Sequence, residues 1–265
     1  MVSDRFHWNQ NNGRPAAVRE RIDKNWIEVI WVRFTGARLE ILDSNPNELI
    51  NDARNTHRMA DPNAVFEKNY KDYLQQLDSS QMSRWETVLD ITVDEKRRTA
   101  QVPFFQTLYR VSPFGVVDDR GRRPDYGTCV ILLKYLLMCP LYVTCDKDWI
   151  SYRDFGDSGQ TQNAGLANYA ATTISKRYTG GLERLKTAVN ALDGRPPETD
   201  YPYDLSAVIP ALPRIPILFL FNDADERFPA QASILYQRRA AHFLDAECRV
   251  MVDWYLLDHL QRAQP

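Results

Sequence analysis

Three carboxylates fall within four residues in Asn222-Asp223-Ala224-Asp225-Glu226. Oxygens at that spacing suit a hard divalent cation, and Mg²⁺ takes one or two carboxylates and completes its shell with water. Asp223, Asp225 and Glu226 are therefore candidate metal ligands, and one of them could serve as a general base. The same acids also have a structural reading. Asp225 and Glu226 in the first turn of a helix would be favourable against its dipole, and Asp223 could cap the turn. A second cluster runs Tyr152-Arg153-Asp154-Phe155-Gly156-Asp157-Ser158-Gly159. The planar guanidinium of Arg153 beside Asp154 can grip a carboxylate or phosphate through two parallel hydrogen bonds, or close on the neighbouring acid as a loop-locking salt bridge. Arg214, in Leu212-Pro213-Arg214-Ile215-Pro216, is a further candidate for holding an anionic substrate.

Other chemistries find less support. Cys129, Cys139, Cys145 and Cys248 lack the CxxC spacing of zinc ribbons or iron–sulfur ferredoxins. Three of them sit in or beside the most apolar part of the chain, where a thiol behaves as a small hydrophobe, so neither zinc nor an iron–sulfur cluster is expected. His7, His57, His242 and His259 are scattered, and GxSxG, HExxH and the P-loop are absent. Two function classes remain. One is a non-catalytic accessory or ligand-binding protein whose partner is a small molecule or another protein. The other is a divalent-metal-dependent enzyme acting on a small anionic substrate through Asp223, Asp225 and Glu226, with Arg153 or Arg214 on the anion.

The elements that must position these residues follow from periodicity. Ile215 to Phe221 is a continuous apolar run and reads as a buried strand; Pro229 then marks the start of a helix from Ala230 to Leu244. Asp61-Pro62 opens a helix carrying Phe66, Tyr70, Tyr73, Leu74 and Leu77. Glu86–Val93 and Thr99–Val111 read as strands around the polar turn Asp94 to Arg98. Gly127–Met138 is apolar nearly all round, as a helix enclosed by others should be. Thr161–Tyr178 is amphipathic and stops at Gly180-Gly181; Leu182–Leu192 forms the next helical face. Tyr201–Pro210 reads as a connection, and the last helix breaks near Asp245. Upstream, residues 1–14 read as a flexible tail, Pro15 opens a helix through Trp26, and IEVIWVRF and RLEILDS read as short strands. The expected architecture is α+β, with an antiparallel N-terminal sheet, a mainly helical C-terminal region and one buried strand near 215–221. Residues 15–265 are expected to form a single domain, with a subdivision near Arg120–Pro124 if one exists.

Composition excludes some partners. With 33 basic against 35 acidic residues the net charge is −2, which gives no electrostatic case for nucleic acid or an anionic membrane. The apolar stretch Cys129–Cys139 contains Lys134 and falls well short of the ~20 residues that a bilayer span needs. The N-terminus, MVSDRFHWNQNNGRP, has no signal-type apolar core, so reduced thiols and a cytoplasmic location are expected. The aromatics, including Trp8, Trp26 and Trp31 outside the motif-rich region, favour the binding-protein class.

Trp149–Phe155 (WISYRDF), Leu212–Pro216 (LPRIP) and Asn222–Ala230 (NDADERFPA) together resemble an uncharacterised bacterial and archaeal family, domain of unknown function 3786. Ser112–Pro124, the apolar helix ending Cys139-Pro140, Thr179-Gly180-Gly181 and Leu244–Cys248 extend the likeness over about the C-terminal two thirds. The resemblance implies a shared fold and brings no mechanism. Arg227 stands where the family tends to carry a further acid before Phe-Pro-Ala, which removes one possible metal ligand and adds a cation.

Overall fold

The computed structural model describes residues 62–156 and 160–263. The readings of residues 1–14, of the helix from Pro15, of the strands IEVIWVRF and RLEILDS, of Trp8, Trp26 and Trp31, and of Asp157–Gly159 lie outside the described residues. Arg58–Pro265 form one compact unit, and Arg120–Pro124 lie inside it.

Helix α1 (Pro62–Gln76) begins at the proline, whose fixed φ suits a first turn. It buries Phe66, Tyr70 and Leu74. Helix α2 (Met82–Leu89) follows and ends at Asp90 in the left-handed conformation. This corrects the strand expected over Glu86–Val93. Met82, Trp85, Val88 and Leu89 recur at helical spacing, and all four are buried. The strand β1 that remains is only Thr92–Asp94.

Four short strands, β1, β2 (Thr99–Phe104), β3 (Thr107–Ser112) and β4 (Gly115–Val117), pair in sequence order as an antiparallel meander. Asp94–Arg98 is the expected turn, with Arg98 at φ 54°. The amide of Val116 donates to the Tyr70 hydroxyl at 2.9 Å, which ties this first sheet to α1.

Helix α3 (Tyr126–Leu137) is capped by Asp125, whose carboxylate accepts from the Thr128 amide. Its residues Gly127 to Leu136 are all buried, as a helix without a polar stripe requires. After β5 (Trp149–Ser151) come α4 (Gln160–Tyr178) and α5 (Leu182–Ala191), separated by Gly180 at φ +66°. The final helix, α6 (Ala246–Arg262), starts after Asp245, which accepts from the Cys248 amide.

The protein is α+β, and the buried strand near 215–221 is present as β7 (Ile215–Asn222). It does not stand alone. β6 (Leu205–Leu212) and β8 (Gln231–Gln237) flank it, and β5 pairs with the far side of β8, giving the antiparallel order β5-β8-β7-β6. Two local expectations are corrected. Tyr201–Pro210 is not all connection: Pro210 is tolerated because β6 is an edge strand and its register shifts between Pro210 and Leu212. Ala230–Leu244 is not one helix: Gln231–Gln237 is strand, because Ile234 and Tyr236 turn inward with period two and pair against Phe219 and Ile217, and only Arg238–His242 turns helically, as a short 3-10 segment. Packing in the sheet overrides the proline signal. Phe219 and Phe221 are fully enclosed, each contributing about 1.5–3 kcal/mol of burial.

Candidate anion-binding site

The acidic loop is a hairpin connection between β7 and β8, closed by the Asn222–Gln231 pair. Its acids are spent on backbone. Asp223 Oδ1 accepts from the amides of Gly180 (2.7 Å) and Ala224 (2.8 Å), so it staples the hairpin to the α4–α5 junction. Asp225 Oδ1 accepts from the amides of Arg227 and Phe228, both at 2.7 Å, and these bonds hold its carboxyl below the usual range. Glu226 is exposed. Among the described residues no group of three or more His, Cys, Asp or Glu side chains is placed to hold a metal ion. One oxygen of Asp223 and one of Asp225 are thus engaged by amides, and Glu226 faces solvent.

Asp154 Oδ2 accepts from the amide and hydroxyl of Ser151 (3.1 and 2.6 Å), closing a capping box on the short turn Tyr152–Phe155. Arg153 is exposed on that turn. Arg214 lies in the tight β6–β7 turn. Its Nε donates to the Val88 carbonyl at 2.8 Å and its Nη2 to the Thr87 carbonyl at 3.3 Å, while Nη1 is 3.7 Å from Asp90. The guanidinium thus caps the carbonyl end of α2, where partial negative charge collects. The eight residues of β7, at about 3.3 Å each, place roughly 25 Å between Arg214 and the acidic loop. One pocket does not contain both.

The residue that stands out at the Arg214 end is Arg239. Strand β8 finishes at Gln237, which pairs with Trp149. The short 3-10 turn Arg238–His242 follows, and the amides of Arg238 and Arg239 donate to the carbonyls of Asp148 (2.8 Å) and Asp146 (3.2 Å). Arg238 is exposed and its Nε lies 3.5 Å from Asp146 Oδ2. Arg239 turns inward and is only 8% exposed. Burial, and then the Arg214 charge, lower the pKa of Arg239.

No carboxylate of the described residues answers this charge. Among the described residues the Arg239 side chain makes no hydrogen bond and no ion pair, and its Nε is sealed from solvent. The other buried cations are treated differently. Lys134 Nζ is 3.3 Å from Asp245 Oδ2. Arg249 donates to the Leu244 carbonyl at 2.7 Å and lies over the Phe155 ring at 4.1 Å. Two neutral groups near Arg239 share its condition. Gln237 Oε1 and Thr144 Oγ1 are sealed from solvent without a hydrogen-bond partner. Gln237 is 9% exposed and Thr144 lies two residues before Asp146, whose carbonyl takes the Arg239 amide. Tyr135, from α3, stands beside the pair: its hydroxyl accepts from the Arg214 amide at 3.1 Å and donates to the Leu89 carbonyl at 3.0 Å.

Of the residues singled out in the sequence, this end of the sheet contains Arg214 and, beside Asp146, Cys145. Arg239 escaped notice because Ala230–Leu244 looked helical, where an Arg-Arg pair reads as solvated surface. The cysteines add no chemistry to the site. Burial pushes the Cys129 thiol up to about 11 and raises Cys139 and Cys248 as well. Cys145 is free and exposed.

No helix among the described residues is long and apolar enough to cross a membrane. No curated protein and no solved structure matches the chain. The family model described as Domain of unknown function (DUF3786) matches residues 85–259, a span that runs from Trp85 in α2 through both sheets and almost to the end of α6, and the chain belongs to that family.

Proposed function

We propose that this protein binds a small anionic ligand, with Arg239 as the principal contact and Arg214 reinforcing the positive field. The observation that carries this reading is an arginine only 8% exposed, its Nε sealed from solvent, with no hydrogen bond or ion pair to its side chain among the described residues. An unpaired buried charge costs several kcal/mol, so a fold that keeps one gains by admitting an anion. The planar guanidinium matches a carboxylate or phosphate in two parallel bonds. Asp90 offsets Arg214 only weakly, at 3.7 Å and with a largely solvated side chain. The small exposed fraction of Arg239 lets a few ligand atoms reach it and gives too little room for full hydration. A binding role without a catalytic centre agrees with the amide-bound acids of the β7–β8 loop and with the lack of GxSxG, HExxH and P-loop motifs.

Thermal unfolding with increasing phosphate or acetate, at constant ionic strength set with chloride, tests the reading. The melting temperature of the parent protein should rise saturably. Arg239→Met should show no such rise and should melt above the parent in anion-free buffer, because it removes an unneutralised charge and keeps the side-chain volume. An equal, saturable rise in parent and variant would overturn the proposal.

A further inference from the structure

From the neutral groups around Arg239 we infer that the ligand is an acid bearing a hydrogen-bond donor beside its anionic group, a hydroxy acid or an amino acid rather than a simple carboxylate or inorganic phosphate. The inference rests on the anion reading above. Gln237 closes β8 and Arg239 is the second residue of the 3-10 turn that follows, both more than nine-tenths buried, with exposed Arg238 between them. Arg239 offers only donors, so it recognises the anionic end. Gln237 Oε1 is an acceptor without a donor, and a buried acceptor left unmade costs about 1–3 kcal/mol. No described group supplies that donor. A ligand whose hydroxyl or amino group sits one or two bonds from the carboxylate brings both complements within the span of two residues. Thr144 Oγ1, also unpartnered and on the segment hydrogen-bonded to Arg239, can accept from the same group or donate to a second carboxylate oxygen. Inorganic phosphate at neutral pH satisfies the guanidinium but is poor in donors, and acetate has none.

Calorimetric titration of the full chain with glycolate, glycine and acetate decides the matter, in the parent, in Gln237→Leu and in Arg239→Met. The parent should bind glycolate or glycine at least tenfold more tightly than acetate, because a site built around a donor rejects the analogue that lacks it. Gln237→Leu should abolish that preference while leaving the acetate affinity within about twofold. Arg239→Met should lose all three ligands. Equal affinities for the three in the parent, or a preference that survives Gln237→Leu, would overturn this inference and leave the anion reading standing. Failure of the parent to bind any of them, and phosphate as well, would remove both.

Discussion

Asp253 offers a quantitative test of the packing between α6 and the second sheet. Its carboxyl is 2% exposed and accepts a hydrogen bond from the Tyr236 hydroxyl, which also reaches the Arg249 carbonyl. Burial pushes its pKa up to about 8, against the opposing influence of the Tyr236 hydrogen bond and the Arg249 charge. In the unfolded chain it titrates near 3.8. Below that pH the group is protonated in both states and imposes no penalty. Between the two values the unfolded chain has lost its proton while the folded chain keeps it, so stability falls as pH rises through the window and levels off above about 8. At about 1.4 kcal/mol per pH unit the whole window is worth on the order of 6 kcal/mol, of which roughly 3–4 falls between about pH 5 and pH 8. Asp253→Asn retains the shape and the oxygen facing Tyr236 but cannot ionise. Urea denaturation of parent and variant at the two pH values gives four unfolding free energies. The variant should gain several kcal/mol on the parent in going from the lower pH to the higher. Glu247, raised to about 7 by burial and then by Asp245, moves in the same direction but is common to both proteins and cancels. An unchanged difference between the two proteins at the two pH values would refute the assignment of a protonated Asp253 in the folded state.

Gly194→Ala should lower stability by roughly 1–3 kcal/mol in the same assay, because the added Cβ would sit 2.4 Å from Val189 Cγ1 and 2.8 Å from the Val189 carbonyl oxygen, which is backbone and cannot swing away. Asp225→Asn combined with Glu226→Gln should leave the response of the melting temperature to Mg²⁺ or Mn²⁺ the same as in the parent; a metal-induced rise present only in the parent would restore the acidic loop as a metal site.

Long periodic segments are legible in the sequence itself. The all-round apolar stretch that became α3 and the amphipathic one that became α4 fall within a residue or two of expectation, and the break at Asp245 is the N-cap of α6. The run Ile215–Phe221 declared a buried strand because every residue but Pro216 is enclosed. What failed was local chemistry overruled by packing. Pro229 was a sound helix signal in isolation, yet Ile234 and Tyr236 gained more by pairing with β7 than a helix would give them. Pro210 argued against a strand and was accommodated at an edge. The site suffered from the same cause. Asp223 and Asp225 carried the right atoms for metal chemistry, but a sequence does not show that neighbouring amides will claim them. Arg214 was flagged for its charge, whereas most of its guanidinium caps α2. Arg239, which makes no ion pair among the described residues, lies in the short 3-10 turn after β8, and the switch from strand to turn at Arg238 hides the face it presents.

The bond from Val116 to Tyr70 carries a practical consequence for anyone working with this family. The matched segment opens at Trp85, partway through α2, whereas Tyr70, Phe66 and Met82 are all interior residues upstream of it. A chain trimmed to the family limits would lose the phenol that receives a sheet amide and would bare the surface those side chains cover. Expression should therefore begin no later than Pro62, and poor yield from a shorter piece would speak about the cut and not about the family.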